Sequence, residues 1–354
     1  MAVSARSCGV CSKIFIATTC CGADMTNAVL LVNLGTPDAP TTGAVRRYLA
    51  QFLGDPRVVD LPRVLWVPLL YGVILNIRPA RSAKLYRAVW TERGSPLATG
   101  TADLASAVAC AVGPDWIVRD AMRYGNPGIN AVLDELAAHD LRRLLVIPLF
   151  PQYSATTSAS VFDAVSKKLQ QWRRVPDFRF VGDFHLEPAY IDALAASVEA
   201  HWARHGRADR LMMSFHGIPQ RYVRNGDPYQ AQCVATAAAL RAKLGVDEEY
   251  LMLCYQSRVG REPWLMPYTD LTLADLPKQG VRSIQVMCPG FSIDCLETLE
   301  EVAITNREVF EEAGGERYEY IPCLNHSAEQ VALMAGLIAR NGSGWISDSA
   351  SSGT

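Results

Sequence analysis

No apolar run in this chain approaches the ~20 residues that a membrane-spanning helix needs. The longest charge-free, largely apolar stretch, Val64–Ile77, has fourteen residues and is interrupted by Pro68. A positive charge excess is missing too: 34 Lys and Arg face 36 Asp and Glu, a formal net charge of −2. Nucleic-acid binders usually carry a clustered basic surplus, so that partner class is excluded. Nucleotide and hydrolase fingerprints are absent: no G-x-G-x-x-G follows a strand, and there is no G-x-x-x-x-G-K-[ST] loop or G-x-S-x-G elbow. A disulfide framework is unsupported as well. The ten cysteines are irregularly spaced, with Cys110 and Cys254 inside apolar segments, which argues for a reducing compartment and a cytoplasmic protein. What is present is a large core: 49% of the 354 residues are apolar, and at ~150 residues per domain the length implies two domains or one two-lobed unit.

Both ends depart from this composition. Cys8, Cys11, Cys20 and Cys21 form a C-x2-C-x8-C-C pattern, but no helical or strand period surrounds it to hold a metal. Ile14–Ala17 is too short for the apolar part of a signal peptide, and Met25 stands just before the first strand. Residues 1–26 therefore read as a disordered extension, and the Ser/Gly-rich residues 342–354 as a disordered tail.

Between these ends, nearly continuous apolar runs alternate with helical periods. The expected strands are Ala28–Asn33, Trp116–Arg123, Arg143–Phe150, Phe178–Phe184, Arg210–Phe215, Glu249–Tyr255, Ser283–Cys288 and Tyr318–Pro322. Continuous rather than alternating apolarity marks strands covered on both faces. Helices are expected at Asn130–His139, Thr156–Arg173, Pro188–His205, Pro228–Leu244 and Asp294–Ala313. This alternation means parallel sheets with right-handed crossovers, hence an α/β protein. Eight strands divide best into two four-stranded lobes, with the seam after Phe150, so that 27–155 and 156–324 are the lobes. About eighty residues after the first strand hold no other strand. Within them Val64–Ile77 is followed by Arg78, Arg81 and Lys84, an apolar patch beside basic residues that fits a cleft mouth or a membrane-surface contact as well as a core helix.

In open α/β sheets, ligands bind outside the carboxyl ends of the strands. Those tips carry Asn33-Leu34-Gly35-Thr36-Pro37, Arg123-Tyr124-Gly125-Asn126-Pro127, Pro151-Gln152-Tyr153-Ser154, Ser214-Phe215-His216-Gly217-Ile218-Pro219, Tyr255-Gln256-Ser257-Arg258 and Cys288-Pro289-Gly290-Phe291. Aromatic and apolar side chains sharing these tips with one histidine suit a large, flat, apolar ligand better than a phosphate. Of the six histidines, only His216 directly follows a buried-type strand and is flanked by Gly and Pro. A neutral imidazole there is suited to accept a proton or bind a borderline metal ion. Asp294, Glu297, Glu301 and Glu308 fall at helical spacing, either a solvated acidic face or a carboxylate path for a divalent cation or protons.

Taken together, these tip motifs resemble the ferrochelatase family. The Arg93-Gly94-Ser95-Pro96-Leu97 turn, Met122–Pro127, Pro148–Ser154, Tyr255–Gly260 with Pro263-Trp264-Leu265, and Cys288 through Leu299 occur in family order across residues 28–340. The resemblance implies a chelatase-type fold of two Rossmann-like lobes, an apolar lip at about 62–97, and a helix at 325–341 packed back on the first lobe. It implies insertion of Fe²⁺ into protoporphyrin IX, the last step of haem synthesis, with both as substrates and no tightly bound cofactor. Residue by residue, it assigns His216 and Glu297 to metal and catalysis, and Asp294 and Glu301 to a proton or metal relay. It places Leu34, Tyr153, Trp264 and Phe291 on the porphyrin, with Arg78, Arg81, Tyr86 and Ser95 near its propionates. Cys295 stands where some members have His. The C-terminal cysteines that hold a [2Fe–2S] cluster in some members have no counterpart in the Ser/Gly tail. A monomer, with peripheral contact at the inner membrane surface, is the expected state. The alternatives are a cobalt chelatase of a related tetrapyrrole pathway, a non-catalytic porphyrin-binding protein, and an exported two-lobed solute binder, which would want the signal peptide not found here.

Overall fold

The computed structural model describes residues 26–345. The cysteine-rich pattern lies outside them, whereas Thr26 already begins the first strand. In the first lobe β1 (Thr26–Thr36) is followed by α1 (Thr42–Gly54), α2 (Arg63–Leu69), a π-helical turn at Leu70–Ile74, α3 (Leu75–Val89) and α4 (Pro96–Val112). Then come β2 (Trp116–Gly125), α5 (Ile129–Ala137), β3 (Leu141–Pro148), a second π turn at Ala155–Ala159, α6 (Ser160–Leu169) and β4 (Asp177–Phe180). The second lobe comprises α7 (Pro188–His205), β5 (Arg210–His216), α8 (Gln220–Arg224), α9 (Tyr229–Leu244), β6 (Leu251–Gln256) and α10 (Thr269–Asp275). It ends with β7 (Ser283–Met287), a π-helix at Glu297–Thr305, α11 (Asn306–Glu312), β8 (Arg317–Ile321) and α12 (Ala328–Asn341).

Each lobe is a four-stranded parallel sheet, ordered β2-β1-β3-β4 and β6-β5-β7-β8, so the two share one topology. The strand order reverses beside β1 in one lobe and β5 in the other, the positions where α/β sheets open a crevice at their carboxyl ends. All eight expected strands and all five expected helical segments form, because continuous apolar runs need cover on both faces. Pro188 at the first turn of α7 and Gly206, with φ 75°, just past its end delimit that helix as the sequence requires.

Three expectations are corrected. The seam falls after β4, not after Phe150, since β4 pairs with β3 from Arg143↔Asp177 to Val146↔Phe180 and α6 packs on α5 and β2. Residues 155–180 therefore complete the first lobe as a β-α-β crossover. The tail does not become irregular at 342: Trp345 is buried against Trp116 at a centroid distance of 6.2 Å, with the Arg179 guanidinium 4.3 Å from its ring. The acidic helix starts after Asp294 and opens as a π-helix, so the Asp294 side chain stands outside its face and Glu308 is exposed on α11.

The two lobes are not loosely hinged. One apolar cluster takes Val29, Leu31, Leu145 and Ile147 from the first sheet and Leu211, Met213 and Phe215 from the second, joined by residues of α4, α7, α9 and α12. The outer faces are covered by α5 and α6 on one sheet and by α10, α11 and the π-helix on the other. α12 lies between α4 of the first lobe and α7 of the second. A fourth cluster belongs to the lip: Val45, Tyr48 and Leu49 of α1, Trp66 of α2, Leu70, and Leu75 and Tyr86 of α3 pack together with Tyr124. Leu34 and Leu296 border it from the strand tip and the start of the π-helix, which brings the lip over the cleft. Gly35 permits this crossing of strand ends. It sits at φ 108°, and a Cβ there would lie 1.7 Å from the Tyr124 carbonyl oxygen.

Candidate active site

His216 is the last residue of β5 and is half-buried, next to Gly217. A side chain at Gly217 has no room, because a Cβ would lie 2.9 Å from the Gln256 carbonyl oxygen and 3.2 Å from the Trp264 ring. That close approach stacks the β5 end on the loop after β6. Leu265 donates its amide to Ile218, Gln220 donates to Pro263, and the His216 and Trp264 rings lie 6.5 Å apart. The His216 Nδ1 is 2.6 Å from the Gly217 carbonyl oxygen. A carbonyl oxygen only accepts, so Nδ1 carries the hydrogen and the Nε2 lone pair is left free as a base or ligand.

The π-helix supplies the carboxylates. Its first turn is held by Gln256, whose Nε2 donates to the Glu297 carbonyl oxygen at 3.2 Å while its Oε1 accepts from Ser214 at 2.7 Å. Ser257, at the end of β6 and with φ 65°, gives its amide to Glu301 Oε1 at 2.7 Å and its hydroxyl to Oε2. Burial raises the Glu301 pKa. The Ser257 hydrogen bonds and the neighbouring His216 oppose the rise without cancelling it, and Glu297 adds to it. His216, Glu297 and Glu301 thus form one electrostatic group. Glu297 also acts on Tyr48 and Tyr86 across the cleft, whose phenols burial pushes well above their ordinary value, and on the buried Cys295 thiol. Both phenols therefore remain protonated donors. A helix with π geometry at this place fits the association of such turns with functional sites.

Trp264 lies beside His216, Glu301 is within electrostatic reach of His216 and Glu297, and Leu34 and Tyr86 belong to the lip cluster that Leu296 borders. Tyr153 follows β3 on the first-lobe rim, its amide donating to Gln232 Oε1 at 2.6 Å. Arg78 and Arg81 are exposed on α3, and Ser95 is buried where α4 begins. Phe291 packs between the cluster shared by the two lobes and the outer cluster of the second lobe. Asp294 is fully engaged: Oδ1 accepts from Thr298 at 2.9 Å and Tyr320 at 2.6 Å, and Oδ2 from Asn325 at 2.8 Å. It borders an open groove of about 580 Å³ lined by Arg93, Asp103, Asn325 and His326, which contains neither His216 nor Glu297.

Two contributors had escaped the sequence reading. Ser257 was visible as a strand-tip residue without a signal of its bond to Glu301, and Tyr48, on a helix in the strandless segment, carried no signal at all. Among the described residues no three His, Cys, Asp or Glu side chains are arranged to enclose a metal ion. Imidazole nitrogen with carboxylate oxygen suits a divalent first-row metal held weakly enough to pass on.

The family model for ferrochelatase matches residues 26–342. A ferrochelatase of Marinobacter nauticus is 52% identical over 321 residues, covering 90% of this chain and 87% of that protein. A ferrochelatase of Yersinia pestis is 53% identical over 313 residues, covering 88% and 98% respectively. Among solved structures, SirB from Bacillus subtilis with Fe³⁺ superposes with a TM-score of 0.54 at 9% identity, covering 90% of this chain and 96% of that one. That likeness is one of fold.

Proposed function

The chain belongs to the ferrochelatase family, and we propose how its residues divide the work of inserting ferrous iron into protoporphyrin IX. The reaction breaks two pyrrole N–H bonds, forms four iron–nitrogen bonds and leaves iron in the ferrous state, with two protons released. In class it is a lyase-type reaction forming metal–nitrogen bonds. The macrocycle needs an apolar slot, a base facing its centre and an exit for protons. Leu34 and Trp264 line the slot, with Tyr86 behind Glu297. His216 Nε2 accepts a pyrrole proton while Nδ1–H stays on the Gly217 carbonyl, which holds the imidazolium in place. Glu301, whose proton affinity burial has raised, takes the next proton along the π-helix. Glu297 pairs with His216 at the metal, and Arg78 and Arg81 meet the propionates at the open edge.

The observation that carries this reading is the free Nε2 of His216 set beside the Glu297–Glu301 pair. Anaerobic incubation with Fe²⁺ and protoporphyrin IX tests it. Haem absorption should appear in proportion to enzyme and time; porphyrin binding without metallation would make the protein a carrier instead. A cobalt chelatase is the less favoured reading, because the ~50% identical relatives are ferrochelatases.

A second element concerns the lip. Val64, Leu65 and Ile77 are 84%, 71% and 70% exposed, and the exposed Arg63, Arg78, Arg81 and Lys84 stand near them in sequence. Among the described residues no helix is long and apolar enough to cross a membrane. We infer that the lip dips into the surface of the inner membrane at its cytoplasmic face, where apolar porphyrin and haem partition. Full burial of such a side chain contributes about 1.5–3 kcal/mol, so partial immersion of three suffices for reversible attachment.

A further inference from the structure

The short segment between α1 and α2 is tied to the first lobe at its start, where Asp55 accepts from Arg123, Tyr124 and Ser160, and further along it makes polar contacts with the second lobe. Tyr222 on α8, a buried residue, donates its hydroxyl to the Val58 carbonyl oxygen at 3.0 Å and accepts the Asp60 amide at 3.3 Å. Beside it, the Arg221 guanidinium reaches in two directions: Nη1 donates to Asp60 Oδ2 and Nε to Glu262 Oε2, both at 2.9 Å. The guanidinium also lies 4.5 Å from the Tyr222 ring, which limits its freedom.

Both ends of this bridge lead into the cleft. Glu262 precedes Trp264 by two residues, and α8 begins four residues after His216. Pro219 pairs with Trp264 as an isolated bridge, and Gln220 Nε2 donates to the Trp264 carbonyl oxygen at 3.1 Å. The His216–Arg224 stretch and the Trp264 loop are therefore one unit. On the other side, Asp60 lies three residues before α2, which carries the exposed Val64 and Leu65 of the lip. None of these contacts involves the side chains of His216, Glu297 or Glu301; those of Tyr222 and Arg221 with Val58 and Asp60 join the base of the lip to this unit.

Resting on the reading of this cleft as the porphyrin slot, we propose that Arg221 and Tyr222 are positioning residues that clasp the base of the lip to the His216–Trp264 unit and set the slot's width. A planar macrocycle gains most from walls held at its own thickness, so a released clasp loosens the grip on porphyrin while leaving the base and carboxylates in place.

The test uses the full chain and protoporphyrin IX without metal, with affinity read by porphyrin fluorescence, followed by steady-state kinetics. Tyr222→Phe and Asp60→Asn each remove polar contacts while sparing buried apolar volume, and Asp60 is exposed enough to be replaced safely. Each should raise the porphyrin Kd and KM about three- to tenfold, with kcat and the KM for Fe²⁺ within twofold. Asp60→Asn should add little in an Arg221→Gln background, because the two act through one bond. A lowered melting temperature with unchanged porphyrin Kd would reduce the clasp to a structural contact and overturn the inference. Failure of the unaltered protein to bind porphyrin at all would overturn the slot reading itself, and the inference with it.

Discussion

Ser257 gives both its backbone amide and its hydroxyl to the Glu301 carboxylate, tying the tip of β6 to the π-helix that faces His216. The bond orients the carboxylate and, at the same time, restrains the rise in its pKa that burial causes.

Ser257→Ala removes one of these donors, so the Glu301 pKa should rise further. The ionised carboxylate is the form that accepts a proton, and activity falls as pH drops through its pKa. The acid limb of kcat/KM should therefore move to higher pH, with the plateau above it largely retained. An unmoved limb would take Glu301 out of the proton path.

The link between lip and first lobe rests on Asp55. Burial alone would raise its pKa, but hydrogen bonds from Ser160, the Arg57 amide and Tyr124, with the charge of Arg123, lower it below the ordinary carboxylate value. A depressed pKa stabilises the fold above the unfolded value, about 3.9, and that stability is lost as pH falls through the folded one. Asp55→Asn should cost about 2–3 kcal/mol at neutral pH and flatten the acid dependence of Tm below pH about 4. An unchanged acid slope would show that other carboxylates govern it.

Exposed lip residues should bind membranes without supporting the fold. Val64→Ser with Leu65→Ser should weaken co-sedimentation with anionic vesicles roughly tenfold, for a loss of about 1.4 kcal/mol, while Tm stays put. Leu70→Ser should instead unfold the lip, because that side chain is fully buried. Equal vesicle binding by the double variant would remove the membrane role.

Trp345→Ala tests the ordered chain end. Losing the indole between Trp116 and Arg179 should cost about 3 kcal/mol, read from chemical denaturation. A loss below about 0.5 kcal/mol would show that the contact contributes little.

The strands and the strand-tip histidine were legible because buried parallel strands demand unbroken apolar runs and ligands sit at their ends. The seam was not, since β4 has only four residues and nothing in Asp177–Phe180 says which sheet it joins. Helical periodicity assumed α geometry for the acidic segment, and the wider π turn, begun after Asp294, was invisible to it. A serine at φ 65° that grips a carboxylate across the sheet, and a lip tyrosine facing the same π-helix, depend on contacts made only by the folded chain. Trp345 was hidden by its Ser/Gly neighbours, whose composition outweighed one aromatic residue.

The most direct test of the central claim compares His216→Ala with the unaltered protein at saturating protoporphyrin IX and Fe²⁺ under anaerobic conditions, following haem absorption and, separately, metal-free porphyrin binding. The proposed slot walls are other residues, so porphyrin affinity should persist while haem formation falls by at least a thousandfold, toward the uncatalysed rate. Haem formation within tenfold of the unaltered rate would contradict the account and remove His216 from the chemistry.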